Sequence, residues 1–168
     1  MIIISDTTPT HYLILIQRET ILPALFGEIV IPEAVADEMR HPKTPAAVRG
    51  WIDAPPDWAK IKSAAPFLLQ KIAGLGAGES AAIALAIEEN ADAVLMDDRK
   101  AIREARKNNL TVLTTLAVLE LAAIKNLLEL PQALDELAQT NFRLPPDIII
   151  EEFLNRDRTR KQSAESAE

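Results

Sequence analysis

Apolar residues fall along this chain in short runs of three or four, and between the runs they recur at helical spacing. Ile2, Ile3 and Ile4 form the first run. Ser5-Asp6-Thr7-Thr8-Pro9 stops it, which predicts a buried strand passing into a helix start, with a helix over about Thr10 to Arg18. Glu28 to Ile31 reads as a second strand, and Pro32 opens a helix through about Arg40. A proline-interrupted stretch from His41 to Pro56 holds a short helix around Ala46–Ile52, with a strand at Trp58–Ile61. Gly74 to Gly78 is a loop, and Glu79 begins a helical run ending near Asn90. Ala93 to Met96 is the next strand, stopped by Asp97-Asp98. A helix over Arg99–Asn108, a strand over Thr111–Leu113 and a helix over Thr115–Lys125 follow. Further helices are expected near Pro131–Thr140 and Pro146–Arg156, then a polar, frayed tail over Thr159–Glu168. Short apolar strands alternating with helices give parallel βαβ units, so the pattern alone predicts an α/β fold around a parallel sheet. There is no internal repeat.

Composition narrows the class. The 168 residues fit one compact domain, and a 48% hydrophobic content excludes wholesale disorder. Aromatics are 4%, so the core is built from Ile, Leu, Val and Ala. The chain has no cysteine, which excludes disulfides and thiolate metal sites. Met1 to Asp6 carries no basic region before its short apolar run and does not read as a signal peptide. No uncharged apolar run approaches the roughly 20 residues needed to span a bilayer, so a cytoplasmic protein without a membrane segment is expected. Net charge is −7, which argues against simple coating of nucleic acid. It does not argue against a nuclease, whose metal-holding carboxylates count as negative.

The placement of the acids carries more than the total. Open parallel sheets build their sites at the carboxyl ends of strands. Asp6 ends the first strand, and Asp97 and Asp98 end the Ala93–Met96 strand. Glu38 lies two turns into the helix after Pro32, and Glu79 lies in the first turn of its own helix. Each has an ordinary reading taken alone: Asp6 and Asp98 as helix caps, Glu38 as a solvated charge, Glu79 as a side chain favoured by the helix dipole. Together they describe converging carboxylates, tolerable mainly around divalent cations, with hard oxygen ligands favouring Mg²⁺ or Mn²⁺. Such ions activate water in phosphodiester cleavage. No Cys, paired His or serine elbow competes for the catalytic role.

These segments resemble a known family. Ser5-Asp6-Thr7-Thr8-Pro9, Val30 to Val35 with Glu38, Gly78-Glu79 with Ala82 to Ala84, and Leu95-Met96-Asp97-Asp98-Arg99-Lys100 resemble, in order, the motifs of a PIN-domain protein. The closest branch is that of small prokaryotic PIN proteins similar to VapC-type toxins. The resemblance implies a three-layer α/β/α fold and a Mg²⁺- or Mn²⁺-dependent ribonuclease. It matches Asp6, Glu38 and Glu79 to the first three acids. The fourth is Asp97 or Asp98, with Asp97 favoured. Asp6, Glu79 and the Asp97/Asp98 pair are the expected metal ligands. Ser5 or Thr7 is expected to assist by hydrogen-bonding a carboxylate or a water. The first motif departs from the family pattern at Thr10-His11-Tyr12, and the tail from Arg156 onward has no counterpart.

Basic residues suggest where substrate lies. Arg99, Lys100 and Arg103 begin the helix that starts at the proposed site, followed by Arg106 and Lys107, so this face is expected to hold RNA phosphates. A solvated helix face is the competing reading. A PIN-like nuclease domain is expected over 1–142, a C-terminal helix over 143–158 and a disordered tail over 159–168. The toxin-like resemblance further implies a cognate antitoxin and a homodimer, formed through the apolar helix at Leu116–Leu128. Two other classes were weighed. Asp6-Thr7-Thr8 weakly resembles haloacid-dehalogenase-like phosphatases, but Thr8 stands where their second Asp belongs. A degenerate PIN-like module that binds RNA or a protein without cutting is the main alternative.

Overall fold

The structure, a computed structural model, describes residues 1–167, which form two compact units, Met1–Thr115 and a second that begins at Leu116. The first unit runs β1 (Ile3–Ser5), α1 (Thr7–Leu15), α2 (Ile21–Phe26), β2 (Ile29–Pro32), α3 (Glu33–Met39), α4 (Ala46–Asp53) and β3 (Ala59–Lys62). It continues through α5 (Pro66–Leu69), α6 (Ala77–Glu88), β4 (Ala93–Leu95), α7 (Arg99–Lys107) and β5 (Val112–Leu113). All five strands are parallel, in the order β3-β2-β1-β4-β5. This is the three-layer α/β/α arrangement. β1, β2 and β4 are buried at every position, as strands are when helices cover both faces of a sheet.

The core beside the central strands is aliphatic, as the composition requires. Ile4, Val30, Val94 and Met96 pack with an unbroken buried stretch of α6, Ala82 to Ala86, in which Ile83 and Leu85 alternate with alanines. Alanine at three of these five positions lets α6 lie close to the sheet, which fixes the start of that helix near the strand ends. The chain then leaves α6 and α7 through Asn90 and Asn109, both at positive φ, with amide-to-carbonyl bonds Ala91→Ala86 and Leu110→Ala105. Asparagine tolerates this left-handed turn and so ends each helix cleanly.

The second unit contains all but the first residue of α8 (Thr115–Ile124), together with α9 (Leu130–Ala138) and α10 (Asp147–Glu165). The segment expected to fray from Thr159 is helical as far as Glu165. Ion pairs explain the extension: Arg156 Nε donates to Glu120 at 2.6 Å, and Lys161 pairs with both Glu129 and Asp157. The chain divides into its two units after Thr115. α2 and α5 were not expected from the sequence; at six and four residues they are too short to show a helical period. No helix among the described residues is long and apolar enough to cross a membrane.

Candidate active site

Strand order reverses at β1, with β2 and β3 on one side and β4 and β5 on the other. At such a switch point the carboxyl ends of the strands open a crevice. β1 and β4 are in register there, Ser5 opposite Leu95, and the ladder runs one residue further as the Asp6 amide donates to the Leu95 carbonyl at 2.9 Å. Asp6 and Asp97 therefore leave the sheet from adjacent strands at one edge.

Asp6 stands at the cap position of α1, yet its side chain makes no capping bond. It is 4% exposed, and its Oδ1 is buried with no hydrogen-bond partner. Burial pushes its pKa from 3.8 up to about 7. The Thr7 backbone amide opposes that rise, and the charges of Glu79, Glu38 and Asp97 add to it. Glu79, Glu38 and Asp97 thus all lie within electrostatic reach of Asp6.

Each of the other three is held by donors. The Thr115 amide donates to Asp97 Oδ1 at 2.9 Å and the Thr115 hydroxyl to Oδ2 at 2.6 Å. Burial raises the Asp97 pKa, against the pull of those two bonds. Glu38, on the last turn of α3, extends to two other elements. Thr7 Oγ1 donates to its Oε2 at 2.5 Å, and the Gly78 amide donates to its Oε1 at 2.9 Å. Glu79 sits in the first turn of α6, where Oε2 accepts from the Gly76 amide at 3.0 Å. Thr7 thus holds the Glu38 carboxylate from α1.

The remaining expected residues are placed differently. Asp98 caps α7, accepting from the amides of Lys100 at 2.8 Å and Ala101 at 2.9 Å. Ser5 is fully buried, its hydroxyl bonded to the Asp6 carbonyl at 2.9 Å and to Thr10 Oγ1 at 2.7 Å, so it braces the β1–α1 turn out of reach of substrate. Lys100 is exposed and donates one of its three ammonium hydrogens to the Gly74 carbonyl, tying α7 to the loop before α6. Arg99 and Arg103 are exposed on α7. His11 is half-buried with its ring against Tyr12, 4.8 Å between centroids, and burial lowers its pKa. Gly78 and Thr115 escaped the sequence reading. A Gly before a helical Glu and a Thr opening the helix after a strand were the only signals. Tyr12 escaped it too; burial, and then the Asp97 charge, raise its pKa, so it lies within electrical reach of the site.

No three Asp, Glu or His side chains among the described residues stand close enough to form a ready-made metal cage. The donor set nevertheless fits a hard divalent cation: carboxylate oxygens from four elements, one of them buried and unpartnered on Asp6. Mg²⁺ in particular keeps several waters and asks for only one or two carboxylates.

The fold and the acids define an α/β protein with carboxylates at the strand ends of its topological switch point. The family follows from residues 2–157, which match the DUF3368 family model, a PIN domain. This chain belongs to the PIN-domain family, whose members are generally nucleases and typically use divalent metal ions. Among solved structures it is similar to a PilT N-terminus domain protein from the hyperthermophilic archaeon Sulfolobus solfataricus P2. That likeness has 15% identity and a TM-score of 0.48, over 86% of this chain and 100% of the other. No curated protein matches the chain significantly.

Proposed function

We propose that this protein is a Mg²⁺- or Mn²⁺-dependent endoribonuclease in which Asp6, Glu38, Glu79 and Asp97 are the catalytic acids. The observation that carries this reading is Asp6. A buried carboxyl with an unpartnered oxygen, set against three more carboxyls, is costly to the fold and is the arrangement that cation-assisted phosphodiester cleavage requires. A bound divalent ion supplies activation of water and neutralisation of the developing phosphate charge. Asp6, Glu79 and Asp97 are the residues that would hold it. Glu38 orients water at the crevice edge, fixed by Thr7 and Gly78. Arg99 and Arg103 lie on the exposed face of α7 and bind the RNA phosphates flanking the cut. Asp98 belongs to the helix cap and not to the catalytic set.

The resemblance to VapC-type toxins supports a cytoplasmic toxin held by a cognate antitoxin whose segment enters the acidic crevice. Homodimerisation through the 116–128 segment is supported by exposed Ile124 and Leu127. Light scattering behind size exclusion tests the dimer; a monomer at micromolar concentration sinks it. The nuclease reading is tested by incubating mixed-sequence RNA with the purified protein and Mn²⁺, Mg²⁺ or EDTA, beside Asp6→Asn. Metal-dependent cutting that the substitution abolishes is the expected result. A folded protein that cuts under none of these conditions would instead be a PIN module that binds RNA or a partner without cleavage.

A further inference from the structure

We infer that Gly78 is a positioning residue whose missing side chain is the seat of the Glu38 carboxylate, an inference that rests on reading Glu38 as one of the catalytic acids. Gly78 is buried, the second residue of α6, and its φ lies outside the left-handed region, unlike Gly27 and Gly74. The backbone therefore does not ask for glycine. Inside a helix glycine is a poorer choice than alanine, and alanine occupies positions 77, 81, 82 and 84 of the same helix. What position 78 does require is space. A Cβ there would stand 2.6 Å from Oε2 and 2.8 Å from both Oε1 and Cδ of Glu38, well inside van der Waals contact. The Gly78 amide meanwhile donates to Oε1 at 2.9 Å.

The carboxylate is thus pressed onto the bare backbone at the start of α6 while the Thr7 hydroxyl holds its other oxygen at 2.5 Å. Glu38 is otherwise an exposed, flexible side chain on the last turn of its helix. Gly78 and Thr7, from two elements, convert a mobile surface acid into a fixed one. Gly76 shows the contrast: a Cβ there would lie 3.6 Å from Glu79 Oε2, ordinary contact, so the closeness at 78 is specific to that position.

The test is Gly78→Ala in the wild-type and Glu38→Ala backgrounds, with Gly50→Ala as the control. Gly50 lies in α4 with nothing within 4 Å of its Cβ position. The expected results have three parts. RNA cleavage with Mn²⁺ falls about 10- to 100-fold in kcat in Gly78→Ala and is unchanged in Gly50→Ala. Gly78→Ala raises Tm in the Glu38→Ala background, as a helical Gly-to-Ala change should, and lowers it when Glu38 is present. In ¹H–¹⁵N spectra, Glu38→Ala shifts the Gly78 amide and leaves Gly50 in place. Equal Tm effects in the two backgrounds, an unmoved Gly78 amide, or wild-type cleavage by Gly78→Ala would each overturn the inference. A wild-type protein that cuts no RNA would sink the nuclease reading alone, because the melting and spectral results decide the seating of Glu38 without any activity.

Discussion

The Asp6 carboxyl gives the reasoning its sharpest quantitative exposure. Its pKa is raised from 3.8 to about 7 by burial first and by three neighbouring acids after that. Between those two values the folded protein holds a proton that the unfolded chain has released. Stability from this group is therefore fully present below pH 3.8 and is lost as pH rises through about 7. At 1.36 kcal/mol per pH unit the whole effect is about 4 kcal/mol, and more than half of it falls between pH 5 and pH 8. Asp6→Asn removes it, because an amide does not titrate and its NH₂ gives the facing acids a donor. The assay is urea unfolding at pH 5 and pH 8 in EDTA, followed by tryptophan fluorescence. Both tryptophans, Trp51 and Trp58, lie in the first unit with ring centroids 5.6 Å apart. Wild type should lose about 2 to 3 kcal/mol more than Asp6→Asn over that range, so that the variant gains on wild type as pH rises. Asp97 titrates in both proteins and largely cancels. Equal losses in the two proteins, or a larger loss in the Asn variant, would refute the account of a carboxyl held at the fold's expense.

Three further outcomes follow from the same geometry. Adding Mn²⁺ at pH 8 should reverse the penalty, stabilising wild type by about 2.7 kcal/mol at 100 times its Kd and Asp6→Asn by much less, read from the same urea curves. Asp97→Asn should abolish cleavage, whereas Asp98→Ala should cost about 1 kcal/mol of stability through the lost α7 cap and leave kcat near wild type; the reverse pattern would show that the wrong acid has been assigned. Thr115→Val takes the hydroxyl from Asp97 Oδ2 and should destabilise the protein by about 1–3 kcal/mol, with cleavage reduced because only the position-115 amide still holds Asp97, measured by thermal melting beside an RNA assay.

The fold was legible because its information is local. Ile2 to Ile4, Ala93 to Met96 and the alanine-rich 81–86 stretch announce buried strands and a buried helix by their own composition, and the elements fall within a few residues of where the pattern puts them. α10 was misjudged because what extends it lies elsewhere: Glu120 and Glu129 are 36 and 32 residues from the arginine and lysine they pair with. The site divides the same way. Asp6 and Asp97 are visible as acids at strand ends. Gly78 and Thr115 are not, since their partners stand 40 and 18 residues away and neither residue carries a charge that would attract notice. The bond from the Lys100 ammonium to the Gly74 carbonyl, 26 residues away, is likewise invisible before folding.

Adjacent Asp97 and Asp98 show what sequence withholds at such a site and how geometry supplies it. Both follow a strand and precede a helix, so charge, spacing and capping preference treat them alike. After a strand, however, consecutive side chains point to opposite sides of the chain. One turns into the crevice, where it acts on the charge of Asp6 and is held by Thr115; the other turns to the free amides of α7. The cap at Asp98 fixes the start of α7, while Asp97 is held separately by the amide and hydroxyl of Thr115. A capping change at 98 should therefore act on the stability of α7 and leave the site in place, whereas a change at 97 acts on the site directly. The same division holds at Asp6, which keeps the cap position of α1 without making the bond and so leaves an oxygen free for the crevice. Where a strand-end acid declines its cap, the helix start loses some stability and the site gains a ligand.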